Sequence, residues 1–285
     1  MVFARWRRRL FQGRRRRTRA LHTIADVHSP QLGNRRTLTI YVPPEYAGRR
    51  HDRYPVIYMQ DGQNLFSPAT SFAGDWGLVP RLDALAASGE EAIVVGVWNA
   101  GDVRLAEYSP FRDAENGGGA GDRYLAFLAE TVKPIVDQRF RTKTGRQDTG
   151  IAGSSMGGLI SLYAALARPE TFGFAAALSP SVWFADSAIV PFVEKSRGGG
   201  PVYLDAGGCE SERQIADVRR LRDALVRIGY RVGEDLMYVE DAEAGHNEAA
   251  WGRRFPAALG FLLSAARRER SERAPAPPPA GAARA

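Results

Sequence analysis

Apolar positions along this chain follow two rhythms, and the rhythms alternate. Short, almost continuously apolar runs such as "YPVIYMQ" (54–60) and "EAIVVGVWN" (91–99) are rich in β-branched and aromatic residues. They read as strands buried on both faces, which have no solvent side to keep polar. "TGIAGS" (149–154), "FGFAAALSP" (172–180), "PVYLDAG" (201–207) and "EDLMYVED" (234–241) belong to the same set. Between them lie stretches with apolar residues at helical spacing. "RYLAFLAETVKPIVDQRF" (123–140) is one, with Pro134 expected to kink or break it. "GGLISLYAALARP" (157–169) stops before Pro169, and "SERQIADVRRLRDALVRIG" (211–229) closes on Gly229. "EAAWGRRFPAALGFLLSAAR" (248–267) is the last. Ahead of all these, "ALHTIADV" and "RRTLTIYVP" flank Gly33-Asn34 and predict a β-hairpin. Strands alternating with helices predict an α/β fold: a mainly parallel central sheet, an antiparallel N-terminal hairpin and helices on both faces.

One junction in this pattern carries chemistry. Between a predicted strand and a predicted helix stands "GIAGSSMGGL" (150–159), in which only Ser155 has glycine both two before (Gly153) and two after (Gly157). G-x-S-x-G describes a sharp strand-to-helix turn that lifts one hydroxyl out of a sheet. A serine hydroxyl is a weak nucleophile at neutral pH, so it needs a base, a carboxylate to orient that base, and donors for the oxyanion. Of the four histidines, His22, His28 and His51 precede the turn and only His246, in "EAGHNEAAW", follows it. That position fits the chain order serine, acid, histidine. For the acid, "PVYLDAGGCESE" offers two residues. Glu210 lies past Gly207-Gly208, where the chain can turn, and is preferred; Asp205 lies within the strand pattern and is the alternative. The backbone N–H of Met156 is the expected first oxyanion donor. The second is sought in "YMQDGQNLF", where Asp61-Gly62 allows a turn and the N–H of Gln63 is favoured.

"DGQNLF", "EYSPF", "GSSMGG" and "GHNEAAW", in this order, resemble the esterase branch of the α/β-hydrolases over residues 21–267. That branch includes enterochelin-esterase-like proteins, feruloyl and acetyl xylan esterases and the mycolyltransferases of the antigen 85 group. The resemblance implies an α/β-hydrolase fold and a serine carboxylic-ester hydrolase working through an acyl-enzyme. It places the nucleophile on Ser155, the acid on Glu210, the base on His246 and the oxyanion amides on Met156 and Gln63. In the mycolyltransferases the aspartate of the Asp-Gly pair contacts sugar, which makes Asp61 a candidate substrate contact. An acyltransferase passing the acyl group to a sugar or lipid alcohol is the alternative on the same fold. A non-catalytic binding protein is the alternative from another class.

Two further side chains have open readings. Arg104, in "NAGDVRLAEYSPF", either binds an anionic or hydroxyl-rich substrate or pairs with Glu107. Trp76, in "GDWGLVP", either lines the substrate pocket or belongs to the core. "FRDAENGGGAGD" (111–122) reads as a flexible partial lid.

Charge changes the picture less than its total suggests. The net charge of +7 is the sum of +9 on residues 1–20, +3 on residues 266–285 and −5 on the body between them. The expected organisation is an Arg-rich arm (1–20), one esterase domain (21–267) and a Pro/Ala-rich tail (268–285). The arm is disordered or a short amphipathic helix, able to associate weakly with anionic surfaces; no specific nucleic acid is expected. Cys209 is the one cysteine, so no intrachain disulfide and no cysteine metal cluster forms. No H-E-x-x-H motif is present, and neither cofactor nor metal is expected. The basic start lacks the apolar stretch of a signal peptide, so a cytoplasmic location is expected.

Overall fold

Each of the eight runs read as strands forms a strand, and all eight join one sheet. The computed structural model describes residues 21–273. The strands are β1 (Leu21–Ser29), β2 (Asn34–Tyr41), β3 (Val56–Met59), β4 (Ile93–Val97), a short pair β5 (Arg112–Asp113) and β6 (Gly117–Gly118), then β7 (Thr149–Ser154), β8 (Phe174–Leu178), β9 (Val202–Gly207) and β10 (Leu236–Asp241). The large sheet runs β1-β2-β4-β3-β7-β8-β9-β10. β1 and β2 form the hairpin and β2 meets β4 antiparallel. Every later neighbour is parallel.

Alternation along the strands sorts side chains onto two cores. Val56 and Tyr58 of β3 face one, with α3 (Gly121–Phe127), α5 (Met156–Ala167), α7 (Ile189–Lys195) and α8 (Glu212–Arg227). Ile57 and Met59 face the other, with α1 (Leu78–Ala87) and α9 (Glu248–Arg273). Helix α5 is buried on every side from Met156 to Leu166, which explains its lack of a polar face. Burying one leucine of this kind contributes about 1.5–3 kcal/mol.

Pro134 does not break its helix, which instead changes type just before the proline. A π turn (Leu128–Val132) joins α3 to α4 (Lys133–Arg139) with helical dihedrals on both sides, and Pro134 follows directly after it; the widened turn accommodates the ring and the missing N–H. Helix α8 opens at Ser211, whose hydroxyl accepts from Gln214 N–H at 3.2 Å. Such a cap contributes about 1 kcal/mol, and it fixes the chain immediately after Glu210.

Three features differ from the sequence reading. Helix α1 was not expected, although Leu78, Leu82 and Leu85 repeat at helical spacing; Gly77 and Pro80 obscure its start. The segment 111–122 includes the β5–β6 hairpin, and Asp113 ties it to the Ala185 N–H. Helix α9 continues to Arg273, past the expected domain edge at 267. The Arg-rich arm (1–20) and the end of the tail (274–285) lie outside the described residues.

Candidate active site

The strand-to-helix turn after β7 is as sharp as its glycines suggest. Ser155 has φ +56° and ψ −124°, a conformation L-residues rarely adopt without functional reason. A Cβ on Gly153 would lie 2.7 Å from the backbone of Gly157, so the two flanking glycines are in contact with each other. Met156 is the first residue of α5, and its N–H has no helical acceptor four residues back. The positive end of that helix lies at the same spot. Ser154, the neighbouring serine, is the last residue of β7 and is buried.

The segment after β8 lies against this turn. Ser155 N–H donates to Leu178 O and Ser181 N–H to Ser155 O, both at 3.0 Å. The hydroxyls of Ser155 and Ser181 are 3.1 Å apart. Two residues earlier, Ser179 donates its hydroxyl to Glu210 Oε1 at 2.5 Å. Gly207 N–H reaches the same oxygen at 2.8 Å, and Glu210 Oε2 lies 3.0 Å from His246 Nδ1. One short segment, Ser179–Ser181, therefore bridges Ser155 and the Glu210–His246 pair. Burial opposes ionisation of Glu210, but the hydrogen bonds from His246, Ser179 and Gly207 outweigh it and lower its pKa. The His246 ring stands edge-on to Trp251, with centroids 4.8 Å apart.

Asp205, the alternative acid, is engaged elsewhere. It is fully buried and accepts from Arg254 Nε (2.7 Å) and Nη2 (3.1 Å), from Ser179 N–H (2.8 Å) and from the Tyr203 hydroxyl (3.0 Å). Its position inside β9 turns it inward, behind Glu210.

The loop after β3 supplies the opposite wall. Asp61 occupies the left-handed region (φ +53°, ψ +46°) and starts a 3₁₀ turn, Gly62–Asn64. Gly62 presses on the backbone of Gly96; a Cβ there would lie 2.3 Å from the Gly96 carbonyl carbon. Gln63 is buried, and its side-chain oxygen accepts the Asn99 N–H at 3.2 Å. The Asp61 carboxylate is gripped by Arg104 through Nε–Oδ1 (2.8 Å) and Nη2–Oδ2 (2.7 Å), and by Asn99 Nδ2 (2.6 Å). Its N–H donates to the Tyr108 hydroxyl at 3.1 Å.

Arg104 thus pairs with Asp61 and not with Glu107, which the sequence offered. Glu107 is buried on Arg36 and Asn34. Trp76 is buried against Trp251 and Phe255, so it backs the residue that touches His246. Ser179, Ser181, Asn99, Tyr108, Trp251 and Arg254 were not singled out in the sequence. Asn99 and Tyr108 stand in the same segment as Arg104, "NAGDVRLAEYSPF", and Trp251 ends the motif "GHNEAAW".

This sheet, with a serine turn after its central strand, defines an α/β-hydrolase. The enterobactin esterase FES from Shigella flexneri, solved in the presence of enterobactin, shares the fold: TM-score 0.70 over 86% of this chain and 59% of that chain, at 20% identity. The family model described as "Putative esterase" matches residues 29–262, and the chain belongs to that esterase family, a family of carboxylic ester hydrolases. The Bacillus subtilis protein YbbA is 29% identical over 67% of this chain and 74% of its own length. The endo-1,4-beta-xylanase/feruloyl esterase of Xylanibacter ruminicola is 25% identical over 71% of this chain, a match spanning 26% of that longer protein. Among the described residues, no helix is long and apolar enough to cross a membrane.

Proposed function

We propose that this protein is a serine esterase that works through an acyl-enzyme with a Ser155–Glu210–His246 triad. Ser155 attacks the ester carbonyl and forms the new C–O bond. His246 takes the serine proton and passes it to the leaving alcohol as the ester C–O bond breaks. Glu210 holds the imidazole by Nδ1 and stabilises the imidazolium, while the N–H groups of Met156 and Gln63 bind the oxyanion. Water then releases the acid by the same steps in reverse. The observation that carries this reading is the Glu210–His246 contact at 3.0 Å, on a carboxylate tied to the segment that also holds Ser155. With Nδ1 engaged, Nε2 is the nitrogen left for the serine. Asp61 and Arg104 act at the rim of the site, where their exposed edges meet substrate. The exposed, unpaired Cys209 suits a reducing, cytoplasmic setting.

Relatives named for siderophore and feruloyl esters make these the first small-molecule substrates to try. The test is hydrolysis of p-nitrophenyl acetate and butyrate, a feruloyl ester and a siderophore ester by the full chain and by Ser155→Ala. The variant is expected to lose about three to six orders of magnitude in kcat. Equal rates would overturn the assignment. Acyl transfer to an added alcohol in preference to water would redirect it to an acyltransferase.

A further inference from the structure

The mechanism above leaves a buried polar network without a task. Arg254, on α9, donates to Asp205 through Nε and also reaches Ser179 Oγ through Nη2 at 3.0 Å. Trp251, one turn earlier on the same helix, donates its Nε1–H to that hydroxyl at 3.2 Å. Indole and guanidinium nitrogens donate and never accept. Both lone pairs of the Ser179 hydroxyl are therefore taken by donors, and its one hydrogen is directed at Glu210 Oε1, 2.5 Å away. The proton's direction follows from the chemistry of its neighbours.

We propose that Ser179 is a positioning residue: Trp251 and Arg254 force its hydroxyl proton onto Glu210, fixing the carboxylate so that Oε2 is presented to His246. This rests on the triad reading above and assigns it a second layer, with Asp205 neutralising Arg254. The backbone agrees. Ser179 is fully buried with φ +42°, a conformation glycine would adopt at less cost. A serine kept there supplies what glycine lacks, a hydroxyl.

Other charges face the Glu210–His246 pair. Asp205 and Arg254 lie behind Ser179. Glu248, at the start of α9, feels Asp61, His246 and Arg104; burial comes first in raising its pKa. Asp241, at the end of β10, is paired with Arg253. None of these replaces the Ser179 contact. Without the hydroxyl, Glu210 loses one donor and directs more of its negative charge at His246, which favours the imidazolium. The acid limb of the pH profile, a property of the coupled pair, then moves to higher pH. The loosened carboxylate also lowers kcat.

The experiment measures kcat/KM against pH, kcat, KM and thermal unfolding with p-nitrophenyl butyrate for the full chain, Ser179→Ala, Glu210→Gln and the double variant. In Ser179→Ala the acid limb is expected about half a unit or more higher, with kcat about tenfold lower and KM within about twofold. Added to Glu210→Gln, the same substitution changes the rate less than about twofold, because the group it positions has gone. Ser179→Gly, which relaxes the backbone while removing the hydroxyl, gives the same shift and serves if the alanine variant fails to fold. An acid limb unmoved or lowered, whatever the rate, overturns the assignment, as do independent, multiplying losses. Wild-type activity in Glu210→Gln would instead overturn the triad reading beneath it.

Discussion

Two aspartate–arginine pairs flank the serine turn, built alike and placed differently. Asp61–Arg104 and Asp205–Arg254 each join a carboxylate to a guanidinium through two nitrogens. The first sits at the rim, with its side chains 11% and 23% exposed. The second is sealed, at 0% and 5%. Burial tips the balance in opposite directions. In the sealed pair desolvation prevails over Arg254, and the Asp205 carboxyl is raised. At the rim, desolvation of Arg104 is outweighed by the bonds and charge of Asp61, and its pKa rises. The same two residue types thus form an internal support behind Ser179 and Glu210 and a solvent-touched clamp on the loop after β3.

The contrast is broken most forcefully at Arg254. Arg254→Met leaves Asp205 buried without its cation, at an expected cost of about 3–5 kcal/mol. Thermal unfolding is expected about 10 °C lower for a domain of this size. An unchanged melting temperature would mean that the buried pair is dispensable. Gly62→Ala comes next: its methyl would meet the Gly96 backbone at 2.3 Å, and the 3₁₀ turn must move. Overpacking of this kind costs about 1–3 kcal/mol, and esterase activity is expected to fall more than about tenfold as the Gln63 amide shifts.

A smaller effect is read from acid stability. The Glu210 pKa is depressed in the folded protein, so its contribution is present above the unfolded carboxyl range and is lost as pH falls through the folded value. The melting temperature of Glu210→Gln is expected to fall less steeply than wild type between about pH 5 and pH 3. Parallel curves would contradict the depressed pKa. The smallest stability change belongs to Arg104→Met, about 1 kcal/mol or less because water reaches the rim, together with a loss of about tenfold in kcat/KM. If it destabilised the protein as much as Arg254→Met, burial would not be what separates the pairs.

What the chain discloses without coordinates follows from how local each signal is. The strands beside the site are short apolar runs, and the serine turn is written in five consecutive residues. Both survive in a linear text. Gly153 and Gly157 could be read because their spacing is itself the geometry. Arg104 could not be resolved: its partner, Asp61, lies 43 positions away, whereas Glu107 lies within one helical turn. Ser179 was passed over for the same reason, since its donors come from α9, more than 70 positions later. Glu210 was separable from Asp205 because the two glycines free one of them from the strand, but the cation that claims Asp205 is invisible until the helix packs. Trp76 shows the converse. Its apolar surroundings suit pocket and core equally in sequence, and only its packing on Trp251 and Phe255 decides.

The central claim concerns one oxygen atom, and covalent labelling tests it most directly. The folded protein is treated with an alkyl fluorophosphonate, digested and mapped by mass spectrometry. The account predicts a single phosphonyl adduct on Ser155, with activity lost in step with labelling and no adduct in Ser155→Ala. An adduct on Ser154 or Ser181, or full activity after Ser155 is modified, would contradict it.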